Sequence, residues 1–267
     1  MNIIQATIFG IIEGITEFLP ISSTAHLDIT RLFLNIPATD FVKSFEITIQ
    51  LGAILAVVFL YQKKIFNFSN TKYGIPVFWR NIIIAFLPTG IIGFVLYQLI
   101  KDHLLGNTML MAITLILGGV FIIFFEKKQE KQIVESNKQN IESLSMRELL
   151  IMGTTQALAV VPGVSRSLSV IISGRMMGIS RSLVAEFSFL LAIPTMLSAT
   201  IYDLYKTGFD FSRDDWTALF VGFVVSFVVA FFVIKWLISY IQKNSFIVFG
   251  YYRIILGIFL LLFFVFY

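Results

Sequence analysis

The chain has 267 residues, 57% of them hydrophobic and only 13% charged, with a mean hydropathy of +0.87. Soluble domains carry about 25% charged residues, so the composition excludes a soluble protein and indicates an all-α polytopic membrane protein, a single membrane domain over 1–267. The formal net charge of +4 lies in loops beside apolar segments, a topology signal rather than a nucleic-acid surface, and the lack of cysteine excludes disulfides and thiolate metal sites.

The first apolar segment, 3–34, is broken at "FLPISS". It lacks the basic start and cleavage site of a signal peptide and is expected to stay on the mature protein. Transmembrane helices are expected at 41–61, 77–99 and 108–125. A second broken segment, 148–178, is interrupted at "VVPGVSRS", and further spans follow at 182–204, 216–239 and 246–266. These six are long enough for a bilayer, which needs about 20 residues. In each broken segment a helix-length run meets a proline and then hydroxyl residues. Proline removes a donor and disfavours helix in the residue before it, and serine caps the next helix, Ser22 or Ser23 in one case and Ser165 in the other. Each reads as a re-entrant helical hairpin. Non-helical backbone at membrane depth persists only where protein or a wet cavity satisfies it, which marks both breaks as candidate sites.

The polar stretch 126–147 divides the chain into halves, 1–125 and 148–267. "GIIEGITEFLPISSTAH" from Gly10 lies over "GTTQALAVVPGVSRSLS" from Gly153. With a one-residue shift at the prolines, Glu13 matches Gln156, Pro20 matches Pro162 and Ser23 matches Ser165; further on Glu46 matches Glu186. Three spans separate the hairpins, an odd number, so the halves form an inverted-topology repeat with paired broken helices, the pattern that points to a midplane site. Lys63, Lys64, Lys72 and Arg80, and then Lys127, Lys128, Lys131, Lys138 and Arg147, mark the 62–80 and 126–147 loops as cytoplasmic. The acid-rich 203–215 loop lies outside. The two hairpins then enter from opposite sides and their tips meet within the bilayer.

Glu13 and Glu17 fall four apart, on one helix face. Two carboxylates in a dry site repel unless a proton or a cation intervenes. Oxygen ligands suit a hard divalent ion, Mg²⁺ or Ca²⁺. After Pro20, Ser23 and His26 fall three apart, a nucleophile–base spacing, although a capping serine and an interfacial histidine would have the same spacing. At the second break Pro162-Gly163 makes the turn and Arg166 opens the next helix. A helix N-terminus, serine hydroxyls and a guanidinium at membrane depth form an anion site. A metal site facing an anion site describes phosphate-ester or diphosphate chemistry on a membrane-borne substrate.

Together, the E-x-x-x-E pair, "FLPISSTAH" and "PGVSRS" resemble the undecaprenyl-diphosphate phosphatase family associated with bacitracin resistance, over essentially the whole chain. The resemblance implies a metal-dependent hydrolase in the bacterial cytoplasmic membrane that converts undecaprenyl diphosphate to the monophosphate, with its site on the outer side. It places catalysis on Glu13, Glu17, Ser23, His26 and Arg166, with Glu13 and Glu17 as metal ligands. Ser22, Thr24, Gly163, Ser165 and Ser167 join Arg166 in holding the diphosphate. The partners implied are the polyprenyl-diphosphate lipid and membrane lipids, with no nucleic acid; a homodimer stays open. One departure is Val170, where the family usually carries a threonine. Ser23, His26 or a water activated by His26 remain the alternative nucleophiles. A flippase or ion-coupled transporter is the rival class, because inverted repeats with broken helices also build carriers.

Other polar residues carry structural expectations. Glu186 and Arg253 lie at similar depth and are expected to pair. Glu46 is placed at the outer mouth, lining the substrate entrance. Asp28 and Arg31 are interfacial, His103 beside Asp102 is solvated, and the G-x-x-x-G at Gly174–Gly178 spans a hairpin end, a poor position for helix dimerisation.

Overall fold

The computed structural model describes residues 1–67, 71–72, 75–99, 104, 106–129, 138, 140–208 and 210–266. The protein is a helical bundle whose described β structure is one two-residue antiparallel pairing, Thr71–Lys72 with Ile75–Pro76. Helices occupy all six positions expected of spans: α3 (Asp40–Leu60), α5 (Val77–Leu99), α6 (Thr108–Gln129), α9 (Arg181–Thr207), α10 (Arg213–Ile241) and α11 (Ile247–Phe266). The first five are long and apolar enough to cross a membrane, and α11 is a 20-residue apolar helix. A short helix, α4 (Gln62–Ile65), turns the chain after α3.

Both broken segments fold as helix–turn–helix. The first is α1 (Ile3–Thr16) and α2 (Ser23–Phe33); the second is α7 (Met146–Gln156), a 3-10 turn at Ala157–Val160, and α8 (Arg166–Met176). Their entries are fixed by capping boxes, Asn2 with Gln5 and Ser145 with Glu148, each satisfying two of the orphan N–H groups of a helix start. The returning helices begin at matching, strained residues. Ser22 has φ 71° and Ser165 has φ 76°, left-handed values that cost a non-glycine residue about 1–3 kcal/mol. Ser165 accepts from the Leu168 N–H as expected of a cap, whereas Ser22 makes no side-chain cap. Gly10 and Gly153, Glu13 and Gln156, Pro20 and Gly163, and Ser22 and Ser165 therefore stand at one constant spacing, without the shift the sequence match allowed.

Helix pairing brings the hairpins together. α1 packs along α10, and α7 along α5. α3 lies between α10 and α9, α5 also touches α9, and α6 packs against α11. Two contacts depend on a missing side chain: a Cβ on Gly10 would stand 2.6 Å from the Gly222 carbonyl, and one on Gly153 would stand 2.0 Å from that of Ala85. Such backbone approach is how helices associate where apolar burial supplies no drive between them. The main core joins α3, α5, α8, α9 and α10 through Phe187, Phe189, Ile82, Ala53, Ile171 and Ile234, and outward faces carry Phe124, Phe220, Phe232 and Ile255.

The 126–147 stretch is not a simple loop. α6 runs on through Gln129, and Glu126 is fully buried on it, paired with Arg181 at 2.6 Å. Ile141–Ser143 form a 3-10 turn, and 130–137 lie outside the described residues, as do Asp102 and His103. The expected Glu186–Arg253 pair does not form. Glu186 takes Lys64 at 2.5 Å, and Arg253 bonds to backbone carbonyls deeper in the molecule. Rise along a helix gives depth but not direction, and the two side chains face different neighbours. Gly174 packs inward, where a Cβ would meet Val184 at 2.3 Å, so the G-x-x-x-G is internal packing.

Candidate active site

The tips of the two hairpins meet. Arg166, the first residue of α8, reaches across with Nη2 to Glu17 Oε1 at 3.1 Å, while its Nη1 donates to the Ser188 carbonyl of α9 at 2.7 Å. Ser23, the first residue of α2, donates its hydroxyl to the other Glu17 oxygen at 2.5 Å. Ser167 donates to the Leu19 carbonyl at 3.0 Å and lies 3.1 Å from the Ser165 hydroxyl. One carboxylate thus receives a hydroxyl from its own hairpin and a guanidinium from the other. The second turn needs its glycine. Gly163 has φ +87°, and a Cβ there would fall 2.1 Å from Thr114 Oγ1, the hydroxyl that donates to the Pro162 carbonyl at 2.7 Å.

Glu13 lies one helical turn behind Glu17 with no exposed surface. Neither of its carboxylate oxygens accepts a hydrogen bond from a donor group among the described residues, and its foremost neighbour is the Glu17 carboxylate, close enough to share a proton with it. A buried carboxylate without a donor is costly, and a proton or a cation shared with Glu17 would satisfy it. The donor set fits a hard divalent ion on that ground. No group of three or more His, Asp or Glu suited to a metal occurs among the described residues, so such an ion would rest on these two glutamates and complete its shell with water and substrate oxygens.

The hydroxyl–imidazole pairing does not form. His26 Nδ1 faces the Ser22 carbonyl at 2.7 Å and must donate to it, so in the neutral ring Nε2 accepts from the Tyr252 hydroxyl at 2.7 Å. The two rings stack at 4°, centroids 5.6 Å apart. Helical spacing puts Ser23 and His26 on neighbouring positions of α2, but Ser23 turns to Glu17 at the end of α1 and His26 to Tyr252 on α11. Val170 is fully buried in the main core, so the family's threonine hydroxyl has no counterpart there.

A cavity of about 720 Å³ opens from the meeting point. Glu17, Ser22, Ser23, Thr24, Gly163, Ser165 and Arg166 line its inner end; Glu13, His26 and Ser167 are not among its lining residues. Its walls are apolar, with Phe86, Leu87, Ile91 and Phe94 from α5 facing Met196, Ala199 and Tyr202 from α9. Both wall helices carry a proline at this level, Pro88 and Pro194, which removes a ladder bond and bends a helix. The far end reaches Asp203, which accepts from Ser44 at 2.7 Å. Glu46 does not line this space, contrary to its expected place at the entrance. Tyr252, Ser188 and Thr114 were invisible in the sequence as members of the site, since each stands in a long, mostly apolar helix outside both broken segments.

A polar cluster at the meeting of two broken helices, entered through an apolar channel, defines a multi-pass α-helical membrane protein built around an amphipathic ligand. The family described as "Bacitracin resistance protein BacA" matches residues 6–259, and the chain belongs to that family. It is 50% identical over 262 residues to the undecaprenyl-diphosphatase of Aquifex aeolicus (strain VF5), covering 98% of each chain. To that of Sulfurihydrogenibium sp. (strain YO3AOP1) it is 47% identical, over 97% of this chain and 98% of the relative. To the undecaprenyl-diphosphatase of Methanococcus aeolicus it is 39% identical, over 99% of this chain and 100% of the relative.

Proposed function

We propose that the protein hydrolyses undecaprenyl diphosphate to undecaprenyl phosphate and inorganic phosphate, recycling the lipid carrier of cell-wall synthesis. The observation that carries this is the Glu17 carboxylate holding the Ser23 hydroxyl and the Arg166 guanidinium together in the wall of a largely apolar cavity. A lipid carrier needs a headgroup clamp. A hydroxyl already bonded to a carboxylate base is what group transfer needs. The activity named for the relatives agrees.

In this reading the diphosphate enters between Ser23, Arg166 and the N-terminus of α8, and the prenyl tail lies along α5 and α9. Arg166 and the first-turn N–H groups neutralise charge on the terminal phosphoryl. Ser23 Oγ attacks the terminal phosphorus and gives its proton to Glu17. The bond from that phosphorus to the bridging oxygen breaks, and undecaprenyl phosphate leaves with the electron pair and takes up the proton from Glu17, which is again a carboxylate. Water then attacks the phosphoserine, losing a proton to Glu17, and phosphate departs as Glu17 returns that proton to the Ser23 oxygen. His26, bonded to Tyr252 and the Ser22 carbonyl, braces the start of α2 rather than attacking. A divalent cation on Glu13 and Glu17, with Mg²⁺ the better match to two carboxylates plus phosphate oxygens, would supply Lewis-acid neutralisation of the diphosphate.

The membrane disposition follows the same reading. Lys63, Lys64, Lys138 and Arg147 stand in or beside the 62–80 and 126–147 connections, and Asp203, Asp210, Asp214 and Asp215 in or beside the 203–215 connection, a charge bias that supports a bacterial cytoplasmic membrane with the channel opening outward. Two re-entrant hairpins in an inverted repeat, 1–125 and 148–267 about the 126–147 connection, are supported by the helix pairings. Exchanging α1, α2, α3, α5 and α6 for α7, α8, α9, α10 and α11 turns α1–α10 into α7–α5 and α3–α10 into α9–α5, and leaves α6–α11 and α3–α9 unchanged.

The test is phosphate release from undecaprenyl diphosphate by purified protein, with Mg²⁺ or with excess chelator. Release that stops on chelation supports the metal-dependent hydrolase. Binding of the lipid without release supports the flippase or carrier.

A further inference from the structure

Arg253 has no exposed surface and, among the described residues, no carboxylate within ion-pair distance. Its guanidinium bonds only to backbone: Nη1 to the Pro20 carbonyl at 3.2 Å, and Nη2 to Gly163 at 2.7 Å and Thr114 at 3.1 Å. An unpaired cation buried in an apolar helix is expensive and is kept where it serves a site. Pro20 and Gly163 are the carbonyls at equivalent positions of the two turns, at the spacing that also relates Ser22 to Ser165. One planar fork therefore grips the same point on both hairpins. Pro20 stands three residues from both Glu17 and Ser23, and Gly163 three from Arg166. α6 makes room: a Cβ on Gly118 would lie 2.4 Å from the Arg253 Nη2.

We propose that Arg253 is a positioning residue, a clasp whose two nitrogens fix the separation of the hairpin turns and so set Glu17 and Ser23 of one against Arg166 of the other. The clasp rests on the proposed assignment of those three residues to the reaction. It acts through backbone, touches neither the channel nor the substrate, and depends on the fork rather than on charge. A lysine keeps the charge but presents all its donors from one atom and cannot span the two turns. Displacement of a reacting group by about 1 Å costs on the order of 10²-fold in rate, and the loss falls on kcat because the channel that binds the lipid is left intact.

The test compares kcat, KM and thermal unfolding of purified full-length wild type, Arg253→Lys, Gly118→Ala and Glu17→Ala on undecaprenyl diphosphate with Mg²⁺. Arg253→Lys should lose about 10²-fold in kcat with KM unchanged, while the unfolding temperature falls because buried carbonyls lose a donor. Gly118→Ala, which keeps the arginine but crowds its fork, should lose kcat in the same way. If Arg253→Lys fails to fold, Gly118→Ala decides alone. Wild-type kcat in the deciding variant, or a loss appearing in KM instead, overturns the clasp. Glu17→Ala separates the two failures. Full activity there removes the site assignment itself, whereas an inactive Glu17→Ala beside a fully active Arg253→Lys removes only the clasp.

Discussion

Arg166 bonds to Glu17 at 3.1 Å across 149 residues of sequence, and both side chains are almost wholly buried. The pair is the point at which the two hairpins become one site. Neither half holds its charge comfortably without the other. Breaking a buried pair by removing one partner strands the other charge at a cost of about 3–5 kcal/mol, whereas replacing both by apolar groups is often tolerated.

Arg166→Ala should therefore lower the unfolding temperature, and the double variant Arg166→Met/Glu17→Leu should recover much of that loss while staying inactive. Arg166→Lys, which cannot hold Ser188 and Glu17 at once, should fall by about 10²–10³-fold in kcat, the usual scale for losing one preorganised donor. Unfolding scans and initial rates on the same preparations check both statements. A stable and active Arg166→Ala would contradict them.

Ser23 and His26 make different predictions because the structure separates them. Ser23→Ala should abolish both turnover and any trapped phosphoenzyme. His26→Gln should keep a phosphoenzyme and lose rate only as far as the start of α2 shifts. Rapid quench with ³²P-labelled substrate separates the cases. An adduct that persists in Ser23→Ala and vanishes in His26→Gln would make the histidine the nucleophile.

Much of this was legible from pattern alone. All six long helices lie where apolar runs of bilayer length stood, both breaks fall at their prolines, and Arg166 opens α8 behind its Ser165 cap. These are local features governed by backbone chemistry, which the chain carries in order. What sequence concealed was azimuth. Depth along a helix placed Glu186 beside Arg253, but Glu186 turns to Lys64 on α4, and Arg253 turns inward to the hairpin turns. The Tyr252 partner of His26, 226 positions away, gave no periodic signal. Ser22 looked like an ordinary cap, and its left-handed backbone shows only in three dimensions.

The start of α7 carries a pH dependence away from the site. Burial tends to raise the Glu148 carboxyl, but hydrogen bonds from Lys138 and Ser145 outweigh it and hold the group below its ordinary 4.5. A carboxylate depressed in the folded state contributes stability that is full above its unfolded value and lost as pH falls through the folded one. Wild type should be more stable than Glu148→Gln at neutral pH, and the gap should close as pH drops below 4.5. Unfolding temperatures across that range are the check, and a gap that widens in acid would reverse the sign.

The apolar channel predicts chain-length discrimination. Ala199 lines the wall opposite α5 and is exposed to the cavity. Ala199→Trp should raise KM for undecaprenyl diphosphate while leaving kcat on a short prenyl diphosphate near wild type. Equal effects on both substrates would place the tail elsewhere.

The central claim, that two hairpin tips jointly make a metal-assisted diphosphate hydrolase, is tested most directly by single-turnover phosphate release from undecaprenyl diphosphate. The comparison is wild type, Glu17→Ala, Arg166→Ala and a chelated control. The account predicts release by wild type with Mg²⁺ and loss of the chemical step in both variants and on chelation, with lipid binding retained in at least the Glu17 variant. Undiminished release from either variant would contradict it.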